Sequence, residues 1–247
     1  MEYIRSNGLK KERLDKLIAS QGLLSRNDVK NMVRRGEVSV NGTIVRDSAV
    51  KVSYEDDIRV KGEKLFQTEF VYIMLNKPKG VVSASDDKRD KTVVDILPDE
   101  LKRKNLFPAG RLDKDTTGFS LITDDGDFAH RILSPARHVT KTYIATVADK
   151  IDYENAKQTF AEGVVLSDGT VLLSAELELL DENPNQVFRV VIKEGKYHQI
   201  KRMFASLGTS VVELRRIAIG GLELDSSLGE GEARIISADE LQLIVKT

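Results

Sequence analysis

Two short segments near the start of the chain carry apolar residues at helical spacing. Residues 13–23, RLDKLIASQGL, predict an amphipathic helix. A second helix is predicted in SRNDVKNMVRRG, residues 25–36, where Ser25 and Asp28 form a capping box and Gly36 marks the end. We expect the two helices to bury Leu14, Leu17, Ile18, Val29, Met32 and Val33.

Strand periodicity follows these helices. VSVNGTIV, residues 38–45, alternates apolar and polar positions around Asn41-Gly42, a dipeptide that favours a tight β-hairpin. The alternation continues through VKVSYEDDIRV, residues 50–60. The polar segment KGEKLFQTEF, residues 61–70, then indicates a linker to the rest of the chain.

The remainder of the chain, residues 71–247, combines strands with a few helices, which indicates an α+β fold class. The predicted helices are GDFAHRIL, with Asp125 as a plausible cap and Ser134-Pro135 as the end, and HQIKRMFASLG, with Gly208 as the stop. The predicted strands are FVYIMLNK, FSLIT, KTYIATV, SAELELL, QVFRVVI and SVVELRRIAI.

Composition narrows the possible classes of protein. A chain of 247 residues is long enough for two domains. It contains no cysteine, which excludes disulfides and thiolate metal sites. No apolar run approaches the roughly 18 residues of a membrane span. The polar N-terminus lacks the apolar centre of a signal peptide. These features fit a cytoplasmic protein without a membrane partner.

The net charge of -1 hides an asymmetry along the chain. Residues 1–51 carry 11 Lys and Arg against 6 Asp and Glu, whereas the remainder carries 27 against 33. A basic N-terminal part on an acidic body indicates a polyanionic partner held by that part. Ordinary surface solubility explains the same asymmetry equally well.

The segment GRLDKDTTGFSLITDDG, residues 110–126, holds four aspartates. Its spacing fits a calcium loop in part, although such a loop needs flanking helices and usually ends in glutamate. Asp113-Lys114-Asp115-Thr116-Thr117 also fits the DxDxT motif of aspartate-dependent phosphatases, which belongs at the start of a doubly wound domain. The three histidines, His130, His138 and His198, are scattered and form no ligand set.

A third interpretation accounts for more of the chain. GRLDKDTTG resembles the G/H-R-L-D-x-x-T-x-G signature of pseudouridine synthases, and LNKPKGVVS, KTYIATV and EGKYHQIKRMFASLG resemble three further segments of that family in the same order. The sequence GRLDxDTTG, followed by LITDDG, resembles the form of the motif in the branch of the family that modifies small-subunit (16S) ribosomal RNA. The resemblance implies a catalytic domain over residues 71–247, with a mixed, mostly antiparallel sheet and flanking helices.

The N-terminal pattern of two helices and a hairpin resembles the S4-type RNA-binding domain over residues 13–60. The resemblance implies that the basic face of the second helix holds RNA phosphates, and it leaves residues 1–12 as an extension. The candidate cations on that face are Arg26, Lys30, Arg34 and Arg35.

The family resemblance also implies roles for individual residues. Asp113 matches the catalytic aspartate, Lys201 the cation that offsets its charge, and Tyr143 the aromatic that stacks on a flipped-out uracil. The resemblance implies RNA or base contacts by Arg111, His198, Gln199 and Arg202. It implies no cofactor and no metal, and it implies a monomer acting on ribosomal RNA, free or in a partly assembled particle.

Each of these residues also has an ordinary structural interpretation. Tyr143 can be a core residue of its strand, Lys201 and Arg202 can form a solvated helix face, and Asp113 can cap a turn. Asp115 and Thr116 are expected to shape the loop around Asp113, and Asp124 and Asp125 to form a turn. A non-catalytic RNA-binding or ribosome-assembly factor is therefore the alternative to an enzyme.

Overall fold

A computed structural model describes residues 11–22, 24–65, 67–134 and 137–245. They form two compact units. The N-terminal unit consists of the residues up to Val71 together with Pro98–Leu106, and the second unit consists of Tyr72–Leu97 and the residues from Phe107 onward. Most of the predicted N-terminal extension, residues 1–10, lies outside the described residues, as does Pro135.

The N-terminal unit is built on two helices and short strands. A buried cluster formed mainly by the two helices holds it together, and all six residues predicted to be buried in those helices belong to this cluster. In chain order the elements are β1 (Glu12–Arg13), α1 (Leu14–Ser20), α2 (Arg26–Arg35), β2 (Val38–Val40), β3 (Thr43–Ile44), β4 (Lys51–Val52), β5 (Ile58–Val60) and β6 (Glu63–Lys64). β1 pairs with β4, and a second sheet has the strand order β3-β2-β5-β6.

The predicted local signals of this unit are confirmed. The Ser25 hydroxyl accepts from the Asp28 amide, the Asp28 carboxylate accepts from the Ser25 amide, and Gly36 ends α2 with φ of 78°. Asn41 and Gly42 both have positive φ, as a two-residue hairpin turn requires. Strand β6 lies within the segment predicted to be a linker.

The second unit contains a large mixed sheet and four helices within the described ranges. In chain order the elements are β7 (Tyr72–Lys77), β8 (Phe107–Pro108), β9 (Thr117–Thr123), α3 (Gly126–Leu133), β10 (Lys141–Val147), α4 (Tyr153–Glu162), β11 (Glu176–Asp181), β12 (Val187–Ile192), α5 (Gln199–Ser206), β13 (Val211–Ile219), β14 (Leu222–Glu223), β15 (Ala233–Ile235) and α6 (Ala238–Val245). The predicted helices and strands are present with small shifts in their ends, whereas α4 and α6 were not predicted.

The main sheet has the strand order β11-β12-β10-β13-β9-β7-β15, with β14 on β13 and β8 on β9. Among the described strands only β9 and β13 pair in parallel, so the predicted mixed, mostly antiparallel sheet is confirmed. Helices α4 and α5 pack on the β10–β13 part of the sheet, and α3 and α6 pack on the β7–β9 part.

The predicted cap of α3 is also present. Asp125 accepts hydrogen bonds from the Phe128 amide (2.9 Å) and from the Tyr72 hydroxyl (2.6 Å). Burial and this hydrogen bond to Asp125 raise the pKa of Tyr72. Asp125 therefore ties the start of α3 to β7, which is the structural role predicted for it.

A single row of residues crosses the centre of the main sheet. Lys77 on β7 lies opposite Gly118 on β9, Gly118 lies opposite Arg216 on β13, and Arg216 lies opposite Tyr143 on β10. Gly118 has φ of 95°, and a Cβ atom there would lie 2.2 Å from the carbonyl oxygen of Arg216. Only glycine permits this close parallel pairing of β9 and β13.

Replacing Gly118 by Ala should lower the free energy of unfolding by about 2–4 kcal/mol, because the methyl group meets backbone rather than a movable side chain. Gly169 is a matched control, since it also has positive φ but no heavy atom lies within 4 Å of its added Cβ atom. Its replacement by Ala should cost about 1 kcal/mol. Urea denaturation of both variants checks the difference, and equal losses would contradict the close-approach explanation.

Candidate active site

The loop between β8 and β9 holds Asp113 in a fixed position. The Ser83 hydroxyl donates to the carbonyl of Leu112 (2.9 Å) and accepts from its amide (3.0 Å). The Thr116 amide donates to the carbonyl of Asp113 (3.1 Å), which closes a turn around the carboxylate. These bonds fix the backbone on both sides of Asp113.

Lys77 holds the same loop from beneath. Its side chain is fully buried at the end of β7, and its ammonium donates to the carbonyls of Thr116 (2.8 Å), Pro78 (3.1 Å) and Lys114 (3.3 Å). Burial lowers the pKa of Lys77 to about 8, although the charges of Asp115 and Asp113 oppose that effect. Lys77, the first lysine of the NKPKG segment, therefore positions the loop between β8 and β9 that carries Asp113 (the aspartate loop).

Helix α5 brings Lys201 to this loop. The Lys201 ammonium lies 3.2 Å from Oδ2 of Asp113, and 2.6 and 2.8 Å from the two carboxylate oxygens of Asp115. Burial alone would lower the pKa of Lys201, but hydrogen bonds to Asp115 and Asp113 raise it overall. The ammonium thus stays charged at neutral pH and balances two carboxylates, of which Asp115 is the closer partner.

Residues before α5 complete the surroundings of the carboxylate. Nε2 of His198 lies 3.4 Å from Oδ1 of Asp113, on the other carboxylate oxygen from Lys201. The His198 backbone has positive φ of 49° at the residue before the helix. This turn aims the imidazole back toward the aspartate loop.

The carboxylate of Asp113 faces two adjoining cavities. An open cleft of about 400 Å³ is lined by Lys79, Gly80, Asp113, Lys114, Asp115, His198 and Lys201. A smaller cavity of about 70 Å³ has a mixed polar and apolar lining that includes Arg111, Asp113, Thr116, Tyr143, Ile192, Ile200, Lys201 and Leu214. Asp113, His198 and Lys201 border both, so a ligand that enters the cleft meets the carboxylate between a basic rim and an aromatic interior.

Models of two known protein families match the sequence. The family model described as RNA pseudouridylate synthase matches residues 71–206, and the S4 domain model matches residues 12–58.

The chain belongs to the RNA pseudouridylate synthase family.

Relatives of this family match the chain over nearly its full length. The ribosomal small subunit pseudouridine synthase A of Escherichia coli is 45% identical over 235 residues, covering 94% of this chain and 100% of the relative. An uncharacterized RNA pseudouridine synthase of Bacillus subtilis, YtzG, is 43% identical over 234 residues, covering 94% and 98%. A crystal structure of a pseudouridylate synthase has 42% identity, a TM-score of 0.65 and coverage of 95% and 100%.

The residues predicted for the pseudouridine synthase site mostly converge in the structure. Asp113, Tyr143, Lys201, Arg111, His198 and Gln199 all line the smaller cavity. Tyr143 is largely buried and belongs to the core cluster. It is therefore a core residue of its strand and also part of the cavity wall. The Arg111 guanidinium is exposed and makes no hydrogen bond or ion pair to a described residue.

Two of the predicted contacts have partners within the protein. The Gln199 side chain is buried, donates to Glu194 (3.1 Å) and accepts from the Lys196 amide (2.9 Å), which ties the start of α5 to the preceding turn. Arg202 forms an ion pair with Asp168 at 2.5 Å. Gln199 therefore holds the turn before α5, which borders the smaller cavity, and Arg202 ties α5 to the turn at Asp168.

The cations of the N-terminal unit divide into paired and unpaired groups. Arg26 contacts the buried carboxylate of Asp15 at 3.1 Å, and Arg35 contacts Glu37 at 2.6 Å. Within the described ranges, Lys30 and Arg34 have no carboxylate partner. The basic face that resembles an RNA-binding surface is therefore partly neutralised.

The calcium and phosphatase interpretations of the aspartates fail on geometry. Strand β9 separates Asp113 from Asp124 by a distance of roughly 20 Å, so they cannot belong to one calcium loop. Asp113 precedes its strand instead of following a parallel one, and no doubly wound sheet is present in the described parts of the chain. Among the described residues, no group of three or more His, Asp or Glu lies close enough together to hold a metal ion.

No helix in the described part of the chain is long and apolar enough to cross a membrane.

A second buried lysine lies at the start of β10, two residues before Tyr143. Lys141 on β10 is largely buried, and its ammonium has no hydrogen bond or ion pair to a described residue. Burial lowers its pKa to about 8, and the charge of Arg216 adds to that effect. Between pH 8 and 10.5, Lys141 is therefore mostly deprotonated in the folded chain and mostly protonated in the unfolded chain. Because the unfolded chain binds more protons in this range, the free energy of unfolding increases as the pH rises.

Replacing Lys141 by Met should increase the free energy of unfolding at pH 7 by about 1–3 kcal/mol, because a buried cation is exchanged for an apolar side chain of similar length. The gain should shrink between pH 7 and pH 10. Urea denaturation across that range checks both parts, with the exposed Lys150 replaced by Met as a control. A less stable K141M protein at pH 7 would contradict this account.

Proposed function

We propose that this enzyme converts one specific uridine of small-subunit ribosomal RNA to pseudouridine, with Asp113 as the catalytic aspartate. The observation that carries the proposal is the Asp113–Lys201 ion pair at the junction of a basic cleft and an aromatic cavity. The small-subunit specificity is supported by the name of the Escherichia coli relative, which matches 94% of this chain.

The proposed reaction exchanges one bond of the nucleoside for another. The bond between N1 of uracil and C1′ of ribose breaks, the base turns, and a bond forms between C5 and C1′. The proton on C5 leaves and N1 gains a proton, so no electrons, redox partner or donated group enter the balance. We therefore propose no cofactor, and the enzyme has to supply charge stabilisation, proton transfer and orientation.

Asp113 is suited to the step that needs an anionic group. Three versions of that step are compatible with its position: attack on C1′, attack on the base, and removal of the proton at C2′. Each requires an ionised carboxylate in a partly desolvated site, which is unfavourable without a nearby cation. Lys201 at 3.2 Å supplies that cation, and Asp115 holds Lys201 in place.

The uridine must leave its stack before it reaches Asp113. We propose that Tyr143 stacks on the extruded uracil inside the smaller cavity, since base–aromatic stacking tolerates rotation of the base. Arg111 has no partner among the described residues at the cavity rim, and we assign it to a phosphate or to the gap that the base leaves.

Capture of the RNA is proposed to use the N-terminal unit as well. Lys30 and Arg34 are the cations of its basic face that have no carboxylate partner among the described residues. Such contacts to phosphates give binding that is salt-sensitive and weakly sequence-specific. Arg26 and Arg35 are expected to contribute less because each already contacts a carboxylate.

The proposed enzyme acts as a monomer. The substrate is ribosomal RNA, either free or in a partly assembled particle. A cytoplasmic location follows from that substrate in bacteria.

Release of tritium from C5 tests the proposed reaction, because formation of the C5–C1′ bond expels that atom. The purified protein is mixed in excess with small-subunit ribosomal RNA tritiated at C5 of uridine, with EDTA present. Release of about one equivalent per RNA supports the proposal. RNA binding without release would favour a non-catalytic assembly factor, and magnesium-dependent hydrolysis of phosphate esters would favour a phosphatase.

A further inference from the structure

Tyr197 is exposed in a position where an aromatic ring has no packing function. Its exposed fraction is 76%, larger than that of any other large hydrophobic side chain in the described ranges. It lies between β12 and α5, directly before His198. A solvated aromatic side chain loses the favourable burial that usually justifies its size, so another function is expected for it.

The ring of Tyr197 stacks on the imidazole of His198. The two ring centroids are 3.8 Å apart and the planes are inclined by 19°. His198 in turn lies 3.4 Å from the Asp113 carboxylate, and its backbone is fixed in the left-handed region at the start of α5. The stack therefore begins at the carboxylate and ends in solvent, with one face of Tyr197 covered and the other open.

The surroundings favour a nucleobase as the occupant of the open face. The neighbouring cleft is lined by Lys79, Lys114 and Lys201. Lys79 and Lys114 contact Glu213 (3.7 Å) and Asp90 (2.7 Å) only through exposed ion pairs, which are weak enough for RNA phosphates to replace. Unstacked RNA bases bind to exposed aromatic rings whatever their sequence, because each base has a π face. Tyr197 lines neither cavity, whereas Tyr143 lines the one beside Asp113. The base on Tyr197 is therefore a neighbour of the reacting uridine rather than that uridine.

We propose that the open face of Tyr197 stacks on the base of a nucleotide adjacent to the target uridine. The inference rests on the proposed function for its choice of RNA. The Tyr197–His198 stack holds the flanking strand beside Asp113 while the uridine is extruded, which replaces part of the stacking that extrusion removes.

The absence of tryptophan from the sequence provides a direct test. Tyr197→Trp places the single tryptophan of the chain in the proposed stack, and RNA binding should quench its emission by about half or more. Leu180→Trp, an exposed site on β11, is the matched control and should change little. An unquenched Tyr197→Trp protein that binds small-subunit ribosomal RNA as tightly as the wild type would overturn the proposal.

Truncation of the ring gives the second measurement. Tyr197→Ala should weaken RNA binding roughly 5- to 100-fold, the range expected for one base–aromatic stack. Tyr197→Phe should restore most of that loss because it keeps the ring. Weakened binding in the Ala variant without quenching in the Trp variant would mean that Tyr197 acts only through His198, which also overturns the proposal.

These measurements separate the inference from the proposed function. Quenching by RNA with no tritium release from the wild-type protein would contradict the proposed reaction and support the stacking surface. Tritium release by the wild-type protein with no quenching and unchanged binding of Tyr197→Ala would contradict the stacking surface alone.

Discussion

Replacing Asp113 by Asn should abolish pseudouridine formation while RNA affinity stays within about twofold of the wild type. The amide has the same shape but cannot act as an anionic group toward ribose or base, so we expect the single-turnover rate to fall on the order of 10⁴-fold or more. The fold should survive, because the loop is held by Ser83 and Lys77 through backbone groups. Tritium release and filter binding measure the two quantities.

The neighbouring carboxylate is the matched control for that variant. Asp115→Asn removes the closer partner of Lys201 but leaves Asp113 ionised beside it. We expect a loss of about tenfold, since the ammonium remains and only its orientation suffers. A D115N protein as inactive as D113N, or a fully active D113N protein, would transfer the catalytic assignment away from Asp113.

Replacing Lys201 by Met should lower the single-turnover rate about 10²–10³-fold. The ammonium is the cation nearest to Asp113 among the described residues, and its loss leaves two carboxylates close together without it. Removing one preorganised charge partner from a partly desolvated site typically has an effect of this size. Affinity for RNA should change much less, because the cleft keeps Lys79 and Lys114.

Two variants on the same helix show whether position or charge matters. Lys201→Arg keeps a cation at the same site and should retain at least about a tenth of the wild-type rate. Arg202→Met removes the adjacent cation, which contacts Asp168 instead of Asp113, and should reduce the rate less than Lys201→Met does. A larger loss in R202M than in K201M would contradict the assignment of Lys201.

The periodic parts of the fold could be predicted because each signal is local. The caps at Ser25 and Asp125, the Asn41-Gly42 turn and the strand over Lys141–Val147 all follow from residues within a few positions of one another. The packing of Pro98–Leu106 with the N-terminal unit could not be predicted, since it depends on contacts between residues far apart in the chain.

The candidate site could be predicted only as far as the family resemblance reached. That resemblance matched Asp113 with Lys201, but Asp115 was expected merely to shape a loop, because its contact with Lys201 joins residues 86 positions apart. The burial of Lys77 was equally hidden, since lysine is usually a surface residue. The position of Lys77 directly before Pro78 in NKPKG, a segment that resembles the family, was the available signal.

The buried cations Lys77 and Lys141 lower the stability of the main sheet. Lys77 and Lys141 both lie in the interior with pKa values lowered to about 8, and Arg216 lies close to each. A protein optimised for stability alone would place apolar side chains there. Lys77 holds the aspartate loop through the carbonyls of Lys114 and Thr116, so at least part of this destabilisation serves the position of Asp113.

Pseudouridine mapping of ribosomal RNA from cells that lack the gene tests the proposed function in the cell. We expect one position in small-subunit ribosomal RNA that is uridine in the deletion strain. That position should return to pseudouridine when the wild-type gene is restored, and it should stay uridine with the Asp113→Asn gene. An unchanged small-subunit RNA in the deletion strain, or full restoration by Asp113→Asn, would contradict the account.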